Sequence, residues 1–242
     1  MLRDYAKEKE NRVNFIRSIV KEANASGIVF GASGGKDSAL AGILCKMANP
    51  NTLGIIMPCE SGRNYNEDKE DALLLGQVFN IEHIEIDITE TKKVFKAQLE
   101  ASGEKLNHIA DINIAPRLRM VTLYAVGASR NFLVCGTGNK SEIHMGYFTK
   151  WGDGASDFNP IADLTVSEIL EFLEYLEAPK RFYQKSPSAG LYEGQTDEKD
   201  MGITYKEIDK YLLLGEKAEN YEKIERANKI TEHKRVGVYY YE

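Results

Sequence analysis

Ile28-Val29-Phe30-Gly31-Ala32-Ser33-Gly34-Gly35-Lys36-Asp37-Ser38 decides the fold. Its first five residues are a short apolar run of the kind that a parallel sheet buries on both faces. A glycine-rich turn follows, and then Leu40, Ile43, Leu44 and Met47 recur at helical spacing, so the unit reads strand, loop, helix. Downstream the alternation continues: strand over Thr52 to Met57, helix over Asp68 to Phe79, strand over His83 to Ile88, helix over Lys92 to Ala101, helix over Arg117 to Ser129, strand over Phe132 to Gly136. Strands alternating with helices predict an α/β fold, a doubly wound parallel sheet with helices on both faces. Upstream, Val13, Ile16, Ile19, Val20 and Ala23 form the apolar stripe of an amphipathic helix between about residues 2 and 24.

In such a sheet ligands bind beyond the carboxyl ends of the strands, here the loops starting at Ala32, Pro58, Asp87 and Thr137. Further on, Thr165-x-x-Glu168 and Thr204-x-x-Glu207 are capping boxes that open two more helices. Between those two helices, Pro179 to Glu198 is long, rich in Pro, Gly, Ser and Gln and without period, which suggests a lid. The whole chain, 1–242, is read as one soluble domain with a helical part from about residue 165. Its 31 Lys and Arg against 37 Asp and Glu, a net charge of -6, remove the general attraction that nucleic acid or an anionic membrane exerts. No run approaches the length of a membrane helix and the charged N-terminus is not a signal peptide, so the expected location is cytoplasmic. Three widely spaced cysteines, Cys45, Cys59 and Cys135, fit neither a disulfide framework nor a thiolate metal site. His83, His108 and His144 show no spacing that would hold zinc.

The turn Ser33 to Ser38 has the character of a phosphate cradle: glycines allow close backbone approach, and the following helix presents free N–H groups and its positive end. It is neither a Walker A loop nor a dinucleotide fingerprint. It resembles the loop of the ATP pyrophosphatases, which cleave ATP between the α and β phosphates. Gly136-Thr-Gly-Asn-Lys-Ser-Glu142, Gly146-Tyr-Phe-Thr-Lys-Trp-Gly-Asp-Gly-Ala-Ser-Asp157 and Asn159 to Leu164 narrow the resemblance to the ammonia-dependent NAD synthetases. Lys185-Ser-Pro-Ser-Ala-Gly, Gly194-Gln-Thr-Asp-Glu198, Gly202 to Asp209 and His233-Lys-Arg235 match further segments in the same order.

That resemblance implies ATP-dependent amidation of deamido-NAD by ammonia through an acyl adenylate, with Mg²⁺ as cofactor and a homodimer as the assembly. It implies Asp37 and Glu142 as metal ligands, with Asp157 joining them as catalytic groups. ATP is implied at Gly31, Ser33, Gly34, Gly35, Lys36, Asp37, Ser38, Thr137 and Ser188. Deamido-NAD is implied at Arg117, Lys150, Asp157, His233 and Lys234, where cations would compensate an anionic dinucleotide. The nearby aromatics Tyr147, Phe148 and Trp151 either stack on a pyridine or adenine ring or belong to the core; core is the commoner fate of such side chains, and they are left out of the expected site. The N-terminal amphipathic helix is a candidate contributor to the dimer.

Two departures stand out. The family usually carries a basic residue near the ATP phosphates where this chain has Val166, so either activity is reduced or Lys36 or Lys185 supplies the charge. In Ala115-Pro116-Arg117 the Pro suits a first helical turn but could shift Arg117. The rival readings are another adenylating enzyme of the same superfamily, such as one modifying tRNA, and a silent nucleotide-binding module.

Overall fold

A computed structural model describes residues 2–60, 65–184, 196–217 and 219–241. Four strands, β1 (Gly27–Gly31), β2 (Thr52–Ile56), β3 (Glu82–Glu85) and β4 (Phe132–Cys135), form one parallel sheet in the order β3-β2-β1-β4. Pairing is in register from Ile28 against Thr52 on one side and Ile28 against Leu133 on the other. The chain winds out from β1 in both directions, so a crevice opens at the carboxyl ends of β1 and β4, where the winding reverses.

Period-two alternation in the strands sorts the core into two faces. Ile28 and Phe30 of β1 pack with α1 (Tyr5–Glu22), α2 (Lys36–Ala48) and α8 (Val166–Tyr175). Val29, Leu53, Ile55 and Val134 point the other way, against Leu123, Tyr124 and Val126 of α6 (Ile114–Arg130). Helix α3 (Glu67–Phe79) packs against β3 and α2, α4 (Thr89–Ala101) packs against α6, and α5 (His108–Ile112) leads into α6. The apolar stripe of α1, Val13, Ile16 and Val20, is buried inside the molecule against that first face. It is therefore spent on the core, and Phe15 is left at 45% exposed on the opposite side.

After β4 the chain turns helical. Short α7 (Lys140–Met145) opens on a capping box between Asn139 and Glu142, a signal not noticed in the sequence. The boxes at Thr165 and Thr204 open α8 and α11 (Tyr205–Leu214) as expected. Together with α12 (Tyr221–Ile230), these helices enclose a second apolar cluster of Met145, Val166, Ile203, Tyr205, Ile208 and Ile224. Two shorter helices, α9 (Arg181–Gln184) and α10 (Asp197–Met201), border the segment expected to be a lid, most of which, with Lys185 and Ser188, lies outside the described residues. Among the described residues no helix is long and apolar enough to cross a membrane, and Cys45, Cys59 and Cys135 are buried free thiols.

Candidate active site

A cavity of about 400 Å³ opens at the β1/β4 switch point. It is bordered by the ends of β1, β2 and β4, including Ser33, Pro58 and Thr137. The loop at Asp87 does not reach it: that carboxylate sits beyond β3, accepting from Thr89 N–H at 2.8 Å and Tyr65 Oη at 2.7 Å.

The turn from β1 to α2 is set by its own atoms. Ser33 Oγ accepts from Gly35 N–H at 3.3 Å, and Ser33 and Ser38 Oγ lie 3.0 Å apart. Gly34 has φ +73°, and a Cβ there would stand 2.2 Å from the Asp68 carbonyl oxygen. Only glycine meets both demands, a left-handed backbone and close approach of the neighbouring chain. Gly31, Ser33, Gly35, Lys36, Asp37, Ser38 and Thr137 line the cavity, while Gly34 shapes the turn from behind.

Charge in the cavity is divided. At the phosphate turn Lys36 Nζ donates to Asp37 Oδ2 at 2.8 Å, and Asn139 Nδ2 donates to Asp37 Oδ1 at 3.1 Å. Glu142 Oε2 accepts from Asn139 N–H at 3.1 Å, so its capping role also fixes its orientation. Burial first, and then repulsion from Asp37, hold the Glu142 carboxyl well above the usual carboxylate range. Asp197, in the buried start of α10, adds a third acid. Among the described residues no group of three or more His, Cys, Asp or Glu could hold an ion alone. Asp37 and Glu142 nevertheless offer two hard oxygen donors whose mutual repulsion a cation relieves, which fits a Mg²⁺ completed by phosphate oxygens and water.

Across the cavity stand Arg119, Asp153 and Lys234. Lys234 Nζ donates to the carbonyls of Gly146 and Phe148, each at 2.7 Å, and burial lowers its pKa. Arg119 Nε donates to Met57 O at 3.2 Å, and burial lowers its pKa too. Asp153 Oδ1 accepts from Thr149 N–H at 2.9 Å, and desolvation raises its pKa against the pull of Arg119 and Lys234. At the turn Asp37, Glu142 and Asp197 surround the single cation Lys36, while Arg119 and Lys234 stand with Asp153, and Asp68 lies in the field of Arg119.

Of the expected dinucleotide residues, Lys234 alone lines the cavity. Arg117, Lys150 and His233 are drawn together beside it: Arg117 Nη2 donates to Lys150 O at 3.3 Å, and Lys150 Nζ donates to His233 O. Pro116 is buried in the first turn of α6 and Arg117 points outward from it. Asp157 stands outside the cavity lining. Its Oδ2 accepts from Val134 N–H at 2.7 Å and its Oδ1 from Tyr124 Oη at 3.2 Å, so it closes the open edge of β4. Burial first, and then the nearby Asp157 carboxylate, push the Tyr124 phenol up to about 12.

Sequence reading missed Arg119, Asp153 and Asp197 as cavity residues, although Asp153 and Asp197 lie in segments it quoted. Arg119 is two positions from Arg117, roughly opposite on a helix, so only the docking of α6 shows which arginine enters. Of the two fates open to the aromatics, the core is not the one found: Tyr147 and Phe148 line the cavity half-buried, and Trp151 is 53% exposed with Lys150 Nζ 5.5 Å from its ring.

Comparison with known proteins bears on the same site. A family described as NAD synthase matches residues 8–239. The NH(3)-dependent NAD(+) synthetase of Carboxydothermus hydrogenoformans is 46% identical over 235 residues, 96% of each chain. That of Archaeoglobus fulgidus is 43% identical over 236 residues, covering 96% of this chain and 94% of its own. Among solved structures, NMN synthetase from Francisella tularensis superposes with a TM-score of 0.92 at 36% identity over 98% of both chains. NH3-dependent NAD synthetase from Campylobacter jejuni superposes with a TM-score of 0.81 at 32% identity over 99% of this chain and 100% of its own.

Proposed function

The chain belongs to the NAD synthase family, and on that premise we propose that it uses ATP and ammonia to convert the nicotinate carboxylate of deamido-NAD to the amide, releasing AMP and pyrophosphate. The observation that carries the proposal is the presence, in one cavity, of the β1–α2 phosphate turn with its carboxylates and of the two cations Arg119 and Lys234. A triphosphate with its metal matches the carboxylates at the turn, and an anionic acid substrate matches Arg119 and Lys234.

A carboxylate is a poor electrophile, because ammonia would have to expel an oxide. The substrate oxygen therefore attacks the α-phosphorus; the P–O bond to the β-phosphate breaks and its electrons leave with pyrophosphate. Ammonia then adds to the acyl carbon, AMP departs with the former carboxylate oxygen, and the surplus proton passes to solvent. The turn's share is to orient the triphosphate through the Ser33 and Ser38 hydroxyls and free N–H groups at the start of α2. Asp37 and Glu142 would hold Mg²⁺, which supplies charge neutralisation on the phosphates. Arg119 and Lys234 would orient the carboxylate, and Arg117, Lys150 and His233 would meet the rest of the anionic substrate at the rim. Asp157 acts from behind, keeping β4 in place.

Purified protein given Mg-ATP, ammonium and deamido-NAD should form NAD and AMP in equal amounts; no AMP under these conditions, or AMP only with RNA, would refute the proposal. A second reading keeps the chemistry and shortens the acid to nicotinate mononucleotide, and the 0.92 TM-score to an NMN synthetase favours testing it. The ratio of kcat/KM for the two acids decides between them.

A homodimer belongs to the same proposal. Val94 and Phe95 on α4, Ile109 on α5 and Val121 on α6 are 57%, 44%, 67% and 56% exposed on neighbouring helices, an apolar face suited to a second copy. Buried, unpaired thiols support a reducing compartment such as the cytoplasm.

A further inference from the structure

Lys36 stands where elementary electrostatics would not put a cation. It is the first residue of α2, at the positive end of the helix dipole, and its side chain is 5% exposed. The ammonium is nevertheless held from several sides. It donates to Asp37 at 2.8 Å, lies 5.4 Å from the centroid of the Tyr205 ring, and faces the carboxylates of Glu142 and Asp197. Tyr205 and Asp197 are themselves joined, Tyr205 Oη donating to Asp197 Oδ2 at 3.0 Å, and both are buried. An ammonium that did nothing more than neutralise Asp37 would require neither the ring nor the third acid.

We propose that Lys36 is the catalytic cation of the phosphate turn, contacting the diphosphate as it leaves, and that Asp197 and Tyr205 are positioning residues that hold its ammonium in the turn. The inference rests on the reading of the site as one that splits ATP between its α and β phosphates. As that bond breaks, one negative charge moves from the attacking carboxylate onto the departing pyrophosphate, and an ammonium already desolvated beside it stabilises the product side more than the ground state. No proton is transferred in this step, and Lys36 stays charged throughout.

Val166 provides the means of testing this. It is the first residue of α8, its N–H lies 3.4 Å from Ser141 Oγ, next to Glu142, and it shares an apolar cluster with Tyr205. A lysine at this position would start beside Ser141, the neighbour of Glu142, and in the cluster that holds Tyr205.

Lys36→Met should lower kcat by about 10²–10³-fold, the scale of losing one preorganised donor, with a smaller change in the KM for ATP. Adding Val166→Lys to it should recover at least about tenfold, whereas Val166→Lys alone should give no gain because the site already holds its cation. Tyr205→Phe keeps the ring and removes the bond to Asp197; it should lower kcat several-fold without changing the KM for ATP. Titration calorimetry with magnesium pyrophosphate gives a readout apart from turnover, and Lys36→Met should weaken binding about tenfold or more. Unchanged pyrophosphate affinity in Lys36→Met, or unchanged kcat in a wild-type-active background, overturns the proposal. If Lys36→Met does not fold, Lys36→Gln at wild-type kcat and pyrophosphate affinity overturns it equally, and Tyr205→Phe at wild-type kcat overturns the positioning role. A wild-type chain that forms no AMP with either acid dismisses the reading of the site instead, and the calorimetric result then judges Lys36 by itself.

Discussion

Gly34 and Glu142 carry the phosphate turn in different ways. Gly34→Ala forces a side chain into a left-handed backbone and against the Asp68 carbonyl, where the added Cβ would stand at 2.2 Å. We expect a loss of about 1–3 kcal/mol in urea denaturation, together with loss of ATP binding, because the turn must open to relieve the contact. Glu142 is the reverse case, a group that costs stability where it serves the site. Its carboxyl is raised by burial and by Asp37, so the folded chain keeps this proton to higher pH than the unfolded chain does. Stability from this group is present below the unfolded carboxylate range and is lost as pH rises through the raised folded value. Glu142→Gln keeps an acceptor for Asn139 N–H and removes the charge. Without magnesium it should be more stable than the wild type near pH 8 and show little difference near pH 4, while turnover falls about 100-fold or more. Equal denaturation curves at pH 8 would contradict the expected repulsion.

Helices α7, α8 and α11 hold the site's second wall through one buried group. Asp209 Oδ1 accepts from Ser141 Oγ at 2.6 Å, and Oδ2 accepts from Ser167 N–H at 2.7 Å and Ser167 Oγ at 2.6 Å. Asp209→Ala leaves these donors without a partner and should cost about 2–4 kcal/mol by chemical denaturation. The two threonine caps make a controlled comparison. Thr204 is exposed and Thr165 fully buried, yet both accept from the third residue of their helix and both hydroxyls donate to its glutamate. Thr204→Ala should cost about 1 kcal/mol, and Thr165→Ala more, since Glu168 Oε2 loses a buried donor. Equal losses would mean that capping itself, rather than burial, sets the magnitude. Both boxes were readable because Thr-x-x-Glu is local. The box at Asn139 is equally local, with Glu142 three positions on.

Assembly is a property of the whole molecule, and the apolar stripe of α1 is not free for it, since Val13, Ile16 and Val20 lie in the core. If two copies meet on the face of α4, α5 and α6, Val121→Asp should shift the mass in sedimentation from dimer to monomer and leave the monomer folded, since Val121 is 56% exposed. A dimer that survives this change would move the interface elsewhere. At this scale the limits of sequence also show. The apolar run of residues 28–32, the helical pattern of residues 40–47 and the glycines between them determined the first strand–turn–helix unit, and the alternation of such units downstream determined the fold class, because those signals depend on neighbours within a few positions. Tertiary structure alone decided that Arg119 rather than Arg117 enters the cavity, that Asp157 serves the β4 edge, that Tyr147 and Phe148 line the site, and that Lys36 meets Tyr205 and Asp197. Each of these depends on how distant segments dock. The free energy that fixes them is the burial of whole helix faces, which no short stretch of chain contains.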